Sequence, residues 1–342
     1  MTELSPKTNT MLFGHEEAEA LLLRDLAAGK LAHGWLISGP PGIGKATLAY
    51  RFARTLLASD ERAAARIIAG SHADLLVIEQ RYDEKKEEKL RDISVEQARE
   101  IAQFLSLTPG EGRWRVVIID SIDALNVNAA NAILKILEEP PPQAILLLIS
   151  HNPGRLLPTL RSRCRQLRLT PLDNSQFLSI MRHVQPAIES GELPALAQLS
   201  GMAPGIALAL HAQGAVELYG RILALLSSLP TLDMLQIHAF ADQIGTGQVH
   251  ANWQLWTRLV LFLLERLALT ASEIEVDPVS EGEALALRKL ASLHPAPVWA
   301  EKWQQASDQF MMTERLHLDY KQVIITFLHA IKEKSGEWLV AS

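Results

Sequence analysis

Short apolar runs alternate with helical stretches over the first 170 residues, and this alternation restricts the fold more than any other feature. Each run is apolar almost throughout, which is typical of strands buried on both faces of a parallel sheet. The five predicted strands lie at residues 34–38, 74–79, 115–119, 144–149 and 166–170. Helices between parallel strands cover both faces of the sheet. The sequence therefore predicts a three-layer α/β sandwich.

Two of the intervening helices carry recognisable ends. Ser94, with Gln97 three residues later, has the spacing of a capping box at a helix start. A further helix is predicted from about Val127 to Glu139. It stops at Pro140, the first of three consecutive prolines, because proline cannot continue a helix.

The strand signal fades after residue 170. The next segment predicts short helices around a turn at 201–205, and the rest of the chain follows a helical pattern. A length of 342 residues suits two or three domains. We therefore expect an α/β domain over 1–170, a small helical domain over 171–212 and an all-helical domain over 213–342.

Composition excludes several classes of protein. The chain has 33 basic and 39 acidic residues, so its net charge of −6 argues against a protein that coats nucleic acid over its whole surface. Cys164 is the single cysteine, which excludes an internal disulfide and a cysteine-built zinc site and suits a reducing compartment. The sequence shows no signal-peptide pattern and no long apolar run. It therefore predicts a cytoplasmic protein with no membrane span.

The strongest chemical motif is GPPGIGK at residues 39–45, which fits the G-x4-G-K pattern of phosphate-binding loops. Gly39, Gly42 and Gly44 let successive backbone amides curl around phosphate oxygens, and Lys45 reaches the terminal phosphates. The loop follows a predicted strand and opens a predicted helix, as the mechanism requires. We therefore predict a nucleotide phosphate site here.

The residue after the lysine departs from the pattern. The motif requires Ser or Thr there as a magnesium ligand, and this chain has Ala46. Thr47 follows, but one helical residue turns a side chain by about 100°, so its hydroxyl should miss the metal position. The loop can hold phosphate, and its hold on magnesium is weak or absent.

A second element of such sites is an acid at the end of an apolar strand. Asp120 ends the predicted strand over 115–119 and is placed to hold magnesium. Phosphate-loop proteins that hydrolyse ATP usually have a glutamate at the next position, which aligns the attacking water. Ser121 stands at that position and cannot act as the base.

Five arginines, uninterrupted by any acid, lie between residues 155 and 168. They are Arg155, Arg161, Arg163, Arg165 and Arg168. They could bind DNA phosphates, form a solvated domain edge, or include an arginine finger presented to the nucleotide of a neighbouring subunit. Arg163 stands just before the last predicted strand, where a side chain can leave the domain edge.

These motifs together resemble the AAA+ clamp-loader subunits of bacterial DNA polymerase III. The resemblance rests on the phosphate loop, the strand that ends at Asp120, Leu-Glu-Glu-Pro-Pro at 137–141 and Ser-Arg-Cys at 162–164. It covers residues 10–212 strongly, and the helical remainder is similar to the collar domain through which these subunits form a ring. The family implies an AAA+ α/β domain, a small helical lid and an all-α collar.

The resemblance assigns roles residue by residue. Lys45 matches the nucleotide lysine, Asp120 the magnesium aspartate and Arg163 the finger that serves an adjacent motor subunit. The family's nucleotide-sensing arginine in the lid falls at Gly205 in this chain. Many relatives also carry a four-cysteine zinc module near residues 60–75, which this sequence lacks. No zinc is therefore expected.

Ala46, Ser121 and Gly205 are three departures at one site, and together they predict a chain that does not turn over ATP. ATP or ADP could still be held by Gly39, Gly42, Gly44, Lys45, Thr47 and Asp120. The resemblance implies a stator-like, non-motor subunit in a hetero-oligomeric ring with motor (gamma/tau) and delta subunits. Through that complex it would help load the sliding clamp on primed DNA.

Two other functions remain open at this point. The chain could be an ATP-hydrolysing motor subunit of a clamp loader, or a related AAA+ remodelling ATPase. It could also be a phosphate-loop kinase with a helical appendix, which would need an acceptor-binding lid and would hydrolyse or transfer phosphate as a monomer.

Overall fold

The computed structural model describes residues 5–9, 11–83, 88–89, 92–111, 113–229 and 233–331. The chain divides into two compact units. The first comprises Met1–Val184 with Ala203–Ile206, and the second comprises Gln185–Met202 with Ala207–Ser342. The three-domain division with boundaries at residues 170 and 212 stays a prediction.

The first unit alternates helices and strands. In chain order its elements are α1 (Glu16–Ala27), β1 (Gly34–Ser38), α2 (Lys45–Leu57), α3 (Glu61–Ile68), β2 (Leu75–Glu79), β3 (Tyr82–Asp83), β4 (Glu88–Lys89), α4 (Val95–Ser106), β5 (Arg115–Asp120), α5 (Val127–Glu138), β6 (Ala144–Ser150), α6 (Pro158–Arg163), β7 (Arg165–Arg168) and α7 (Asn174–Val184). Short 3-10 turns at Ile122–Ala124 and Pro153–Arg155 follow β5 and β6.

Five strands form one parallel sheet in the order β2-β5-β6-β1-β7. The strand β1 is fully buried, and its successive residues point to opposite faces. Trp35 and Ile37 enter one apolar core, and Leu36 enters the other. The two cores lie between the sheet and the helices that cover it. The predicted α/β fold with a parallel sheet is confirmed, and the pair β3 and β4 forms a separate small antiparallel ladder.

The predicted helix ends are also confirmed. Ser94 and Gln97 make both bonds of the capping box at the start of α4, at 3.5 Å and 3.2 Å. Asn126 caps α5 by accepting a hydrogen bond from the Ala129 amide at 2.9 Å. The helix α5 ends at Glu138, just before the prolines.

The remainder of the chain is helical throughout its described residues. The helices are α8 (Leu193–Ser200), α9 (Pro204–Ala212), α10 (Ala215–Ser227), α11 (Met234–Ile244), α12 (Val249–Ala271), α13 (Glu283–Ala291), α14 (Ala296–Leu316) and α15 (Tyr320–Ala330). The first residues of α9 belong to the first unit. Residues 332–342 of the predicted third domain lie outside the described residues.

Aromatic packing forms the core of the second unit. Trp253, Trp256 and Trp299 are fully buried, and the Trp253 ring stacks on Tyr320 with 4.6 Å between centroids. These rings bury large apolar areas, so they account for much of the stabilisation of this unit. Among the described residues, no single helix has the length and apolar composition to cross a membrane, although α8 and α9 pass that test as a bent pair.

A buried ion pair fixes the connection between α12 and α13. Glu283 is fully buried and accepts hydrogen bonds from Arg266 at 3.0 Å and 3.1 Å. The Tyr219 hydroxyl and the Val279 amide also donate to this carboxylate. Burial beside the carboxylate raises the pKa of Tyr219, so the phenol stays protonated as a donor. All of these partners belong to the second unit.

Candidate nucleotide site and an arginine at the opposite edge

The glycine-rich loop joins the end of β1 to the start of α2. Gly42 and Gly44 have φ angles of +74° and +104°, which L side chains rarely adopt. A Cβ on Gly39 would lie 2.4 Å from the Leu169 carbonyl oxygen, so this position also excludes a side chain. The loop therefore has the backbone shape that its sequence predicts, with the N-terminus of a helix directly behind it.

Lys45 is buried at the mouth of this loop. Its ammonium donates to the carbonyl oxygens of Gly39 at 2.7 Å and Pro40 at 2.5 Å. Burial lowers the pKa of Lys45 to about 8, and the negative charges of Asp120 and Asp123 act in the opposite direction. The fold thus brings Lys45 close to Asp120, the acid at the end of β5, as the sequence motifs predict.

On the magnesium side of the site an apolar residue stands where the motif has a hydroxyl. Ala46 packs against the apolar core, and Thr47 is buried in the first turn of α2. Asp120 ends β5, and Ser121 precedes the 3-10 turn. Among the described residues, no group of three or more His, Cys, Asp or Glu side chains could hold a metal ion. The loop fits a phosphate chain, and it offers magnesium no hydroxyl at position 46.

The sequence did not reveal the role of Asp123. Its carboxylate accepts hydrogen bonds from the Ser150 hydroxyl at 2.8 Å and from the amides of His151 and Asn152 at 2.5 Å and 3.3 Å. It therefore fastens the turn after β5 to the end of β6. Burial and the positive charge of Lys45 lower the pKa of His151, and the negative charge of Asp123 acts in the opposite direction.

The position that resembles the sensing arginine lies against the loop. The Gly205 amide donates to the Gly42 carbonyl at 2.9 Å. A Cβ at 205 would lie 3.1 Å from that oxygen, which leaves little space for a longer residue. The glycine thus allows a close backbone contact where the family pattern has a cation.

Arg163 lies at the amino-terminal edge of the sheet, where the parallel strands begin, whereas the phosphate loop lies at the carboxyl-terminal edge, where they end. It ends α6 just before β7, and its carbonyl oxygen is 3.7 Å from the position a Cβ on Gly34 would take. Gly34 begins β1, and the phosphate loop follows the end of that strand. Strands rise about 3.3 Å per residue, so the two sites are separated by roughly 13 Å along β1.

Two contacts fix the Arg163 side chain within its own chain. One terminal nitrogen lies 2.6 Å from a Glu138 carboxylate oxygen, and the other donates to the Thr159 carbonyl oxygen at 3.0 Å. About a third of the side chain remains exposed. The guanidinium is therefore held near the surface with part of its donor edge open to solvent.

The other four arginines of the segment have different surroundings. Arg165 pairs with Asp25 and lies over the Trp35 ring, 4.9 Å from its centroid. Arg155, Arg161 and Arg168 are exposed and have no acidic partner among the described residues. Arg163 therefore differs from these three in being fixed by an acid.

The fold and the loop define the first unit as a phosphate-loop α/β domain with a parallel sheet. Residues 14–173 match the family model described as DNA polymerase III, delta subunit. The chain is 40% identical over 195 residues to DNA polymerase III subunit delta' of Pseudomonas aeruginosa, a match that covers 54% of this chain and 58% of that protein. Over this region the chain is similar to DNA polymerase III delta-prime subunits, as its motifs predict.

Two further relatives extend the comparison. DNA polymerase III subunit delta' of Escherichia coli is 33% identical over 198 residues, which cover 55% of this chain and 57% of that protein. DNA polymerase III subunit tau of Salmonella typhimurium is 29% identical over 323 residues, which cover 85% of this chain and 48% of that protein. The chain thus spans between about half and three fifths of the length of these three proteins.

Proposed function

We propose that this chain is a non-motor, stator-like subunit of the clamp loader of DNA polymerase III. In this proposal it stands in a hetero-oligomeric ring beside a motor (gamma/tau) subunit and a delta subunit. It donates Arg163 to the ATP site of the adjacent motor subunit and so helps load the sliding clamp on primed DNA. The proposal places it in the cytoplasm.

The position of Arg163 carries this proposal. An arginine at the amino-terminal edge of a parallel sheet cannot reach the phosphate loop at the carboxyl-terminal edge of the same domain. A partly exposed guanidinium there is suited to a phosphate on another chain, where it can offset charge in the transition state. Arginine fingers of this kind are worth about 10³–10⁵ in rate to the site that they enter.

The composition of the chain's own loop supports a subunit without turnover. Ala46 offers no hydroxyl to magnesium, Ser121 cannot align water as a carboxylate can, and Gly205 provides no cation. The loop amides and Lys45 still suit a phosphate chain. ATP or ADP held by Gly39, Gly42, Gly44, Lys45, Thr47 and Asp120 would stabilise the fold by mass action without being consumed.

The test replaces Arg163 by Ala in the reconstituted complex, with Arg161→Ala as the matched control. Arg161 lies on the same helix, is exposed and has no acidic partner among the described residues. We expect Arg163→Ala to lower ATP turnover and Arg161→Ala to leave it unchanged, with complex formation intact by size exclusion. Equal turnover in the Arg163→Ala complex and the wild type would overturn the finger role.

An ATP-hydrolysing motor subunit is the second candidate. Two observations favour it: the match to a tau subunit over 85% of the chain, and the retention of both Lys45 and Asp120. If this chain were a motor subunit, Lys45→Ala would abolish its share of ATP turnover in the reconstituted complex, where the neighbouring subunit supplies the arginine. Our proposal expects Lys45→Ala to leave the turnover of the complex nearly unchanged, so ATPase assays of the complex separate the two.

A further inference from the structure

We infer that Glu138 is a positioning residue for Arg163: its carboxylate holds the guanidinium in the orientation that the neighbouring subunit receives. This inference rests on the proposed function and adds a second residue to it. The observation that motivates it is the 2.6 Å contact between the two side chains.

A free arginine side chain on a protein surface samples many rotamers, and fixing one of them costs conformational entropy. In this chain the guanidinium is bound at both terminal nitrogens, by Glu138 on α5 and by the Thr159 carbonyl oxygen within α6. Two contacts on different elements define both its position and its plane. The Arg163 side chain therefore loses its conformational entropy when the chain folds, before a partner binds.

The backbone supports of the pair are rigid. Leu137 and Cys164, which neighbour Glu138 and Arg163 in sequence, are both buried in one apolar core. Both side chains lie over Gly34, where a Cβ would be 2.7 Å from a Leu137 methyl carbon and 3.6 Å from the Cys164 sulfur. The missing side chain at Gly34 thus lets α5 and the end of α6 converge.

His33 adds a third support from the residue before β1. Its Nε2 atom lies 3.0 Å from the Leu137 carbonyl oxygen, so the imidazole satisfies a backbone group at the end of α5. This contact holds the last turn of the helix, where Glu138 is located. An acid at a helix C-terminus is disfavoured by the helix dipole, and the nearby cation offsets that cost.

The pair also leaves donors for a second partner. A guanidinium has five N–H donors, and the two contacts leave others unused. The Glu138 side chain is half exposed and the Arg163 side chain a third exposed, so a phosphate can approach from the solvent side. Glu138 therefore orients the guanidinium without enclosing it.

The experiment compares Glu138→Gln with Glu139→Gln in the reconstituted complex. Glu139 is the next acid in sequence, is exposed and has no ion pair among the described residues. The readout is the Arg163-dependent turnover, which is the rate of the complex minus the rate of the Arg163→Ala complex. We measure kcat and KM for ATP, and thermal unfolding of each variant.

We expect Glu138→Gln to lower the Arg163-dependent kcat about twofold to fivefold, the worth of an exposed ion pair, with KM for ATP unchanged. Glu139→Gln should match the wild type. In the Arg163→Ala background, Glu138→Gln should have no further effect, because the residue acts only through the arginine. Its melting temperature should stay within one or two degrees of the wild type.

Three results would overturn the inference. A rate equal to or above that of the wild type would show that the pair is dispensable or restrains the arginine. A loss of equal size in the Arg163→Ala background would show a structural role. If Arg163→Ala itself changes nothing, the proposed function fails and this inference fails with it, whereas an effect of Arg163→Ala alone leaves the proposed function standing.

Discussion

The two edges of the parallel sheet in the first unit carry different functional residues. The carboxyl-terminal edge has a well-formed phosphate loop and Lys45, but alanine stands at the metal position and serine at the base position. At the amino-terminal edge, Arg163 is fixed by Glu138 on a packed support. One edge lacks a hydroxyl at position 46 and a carboxylate at position 121, while the other holds an arginine fixed by an acid. In the proposed function, nucleotide binding and assistance to a neighbouring subunit are therefore separated within one domain.

The largest expected effect contrasts the two edges directly. Arg163→Ala should lower turnover at the site that the arginine serves by about 10³-fold or more. Lys45→Ala should change the turnover of the same complex by less than about twofold, because this chain's own loop is not expected to hydrolyse ATP. Steady-state ATPase assays of complexes carrying each variant measure this difference. A large loss of turnover from Lys45→Ala would contradict the proposed contrast between the two edges.

The thiol at the amino-terminal edge should be nearly inert. Burial raises the pKa of Cys164 from 9.0 to about 12, so at pH 8 its thiolate fraction is lower by about 10³. Reaction with a disulfide reagent should therefore be slower by about that factor in the native chain than in denaturant. A fast native reaction would show that this edge is less tightly packed than the structure describes.

The packing at Gly34 provides a third test. Gly34→Ala places a methyl group against Leu137, and we expect the free energy of unfolding to fall by about 1–3 kcal/mol. Gly191 has open space around it and an ordinary backbone conformation, so Gly191→Ala should stay within about 0.5 kcal/mol. Urea denaturation of both variants measures the difference. Equal stabilities would mean that Leu137 relaxes freely.

The smallest effect belongs to the carboxyl-terminal edge and has the opposite sign. Lys45 is charged and buried, so Lys45→Met should raise the free energy of unfolding at pH 7 by about 1 kcal/mol. Lys30→Met, at an exposed lysine, should be neutral.

The pH dependence of this difference follows from the lowered pKa. Below pH 8 the lysine is charged in both the folded and the unfolded chain, so the full cost of burial is present. As the pH rises from about 8 towards 10.5, the folded chain releases the proton first and the cost shrinks. The difference in free energy of unfolding between Lys45→Met and the wild type should therefore shrink between pH 8 and pH 10.5. Urea denaturation at a series of pH values measures it.

Much of the first unit could be predicted because its signals are local. Apolar runs locate the five parallel strands, Ser94 and Gln97 locate the start of α4, and Pro140 limits α5. The phosphate loop is equally local, because its glycines and Lys45 are consecutive. These features depend on short-range sterics and burial, which a sequence reports directly.

The contacts that could not be predicted join residues far apart in the chain. Glu138 and Arg163 are 25 positions apart by their numbering, and Asp123 meets the end of β6 across a comparable span. Their meeting depends on the order of strands in the sheet, which the alternation of elements does not determine. Only the fold identifies Arg163 as the partner of the acid at the end of α5.

The strand β1 connects these two edges physically. It has hydrogen-bonded strands on both sides and is buried along its whole length, so we expect it to move as one unit. A tilt of β1 would therefore displace the phosphate loop and the residues around Arg163 together, in opposite directions. Substitutions at Leu36, which is buried midway along β1, should therefore disturb both the phosphate loop and the support of Arg163.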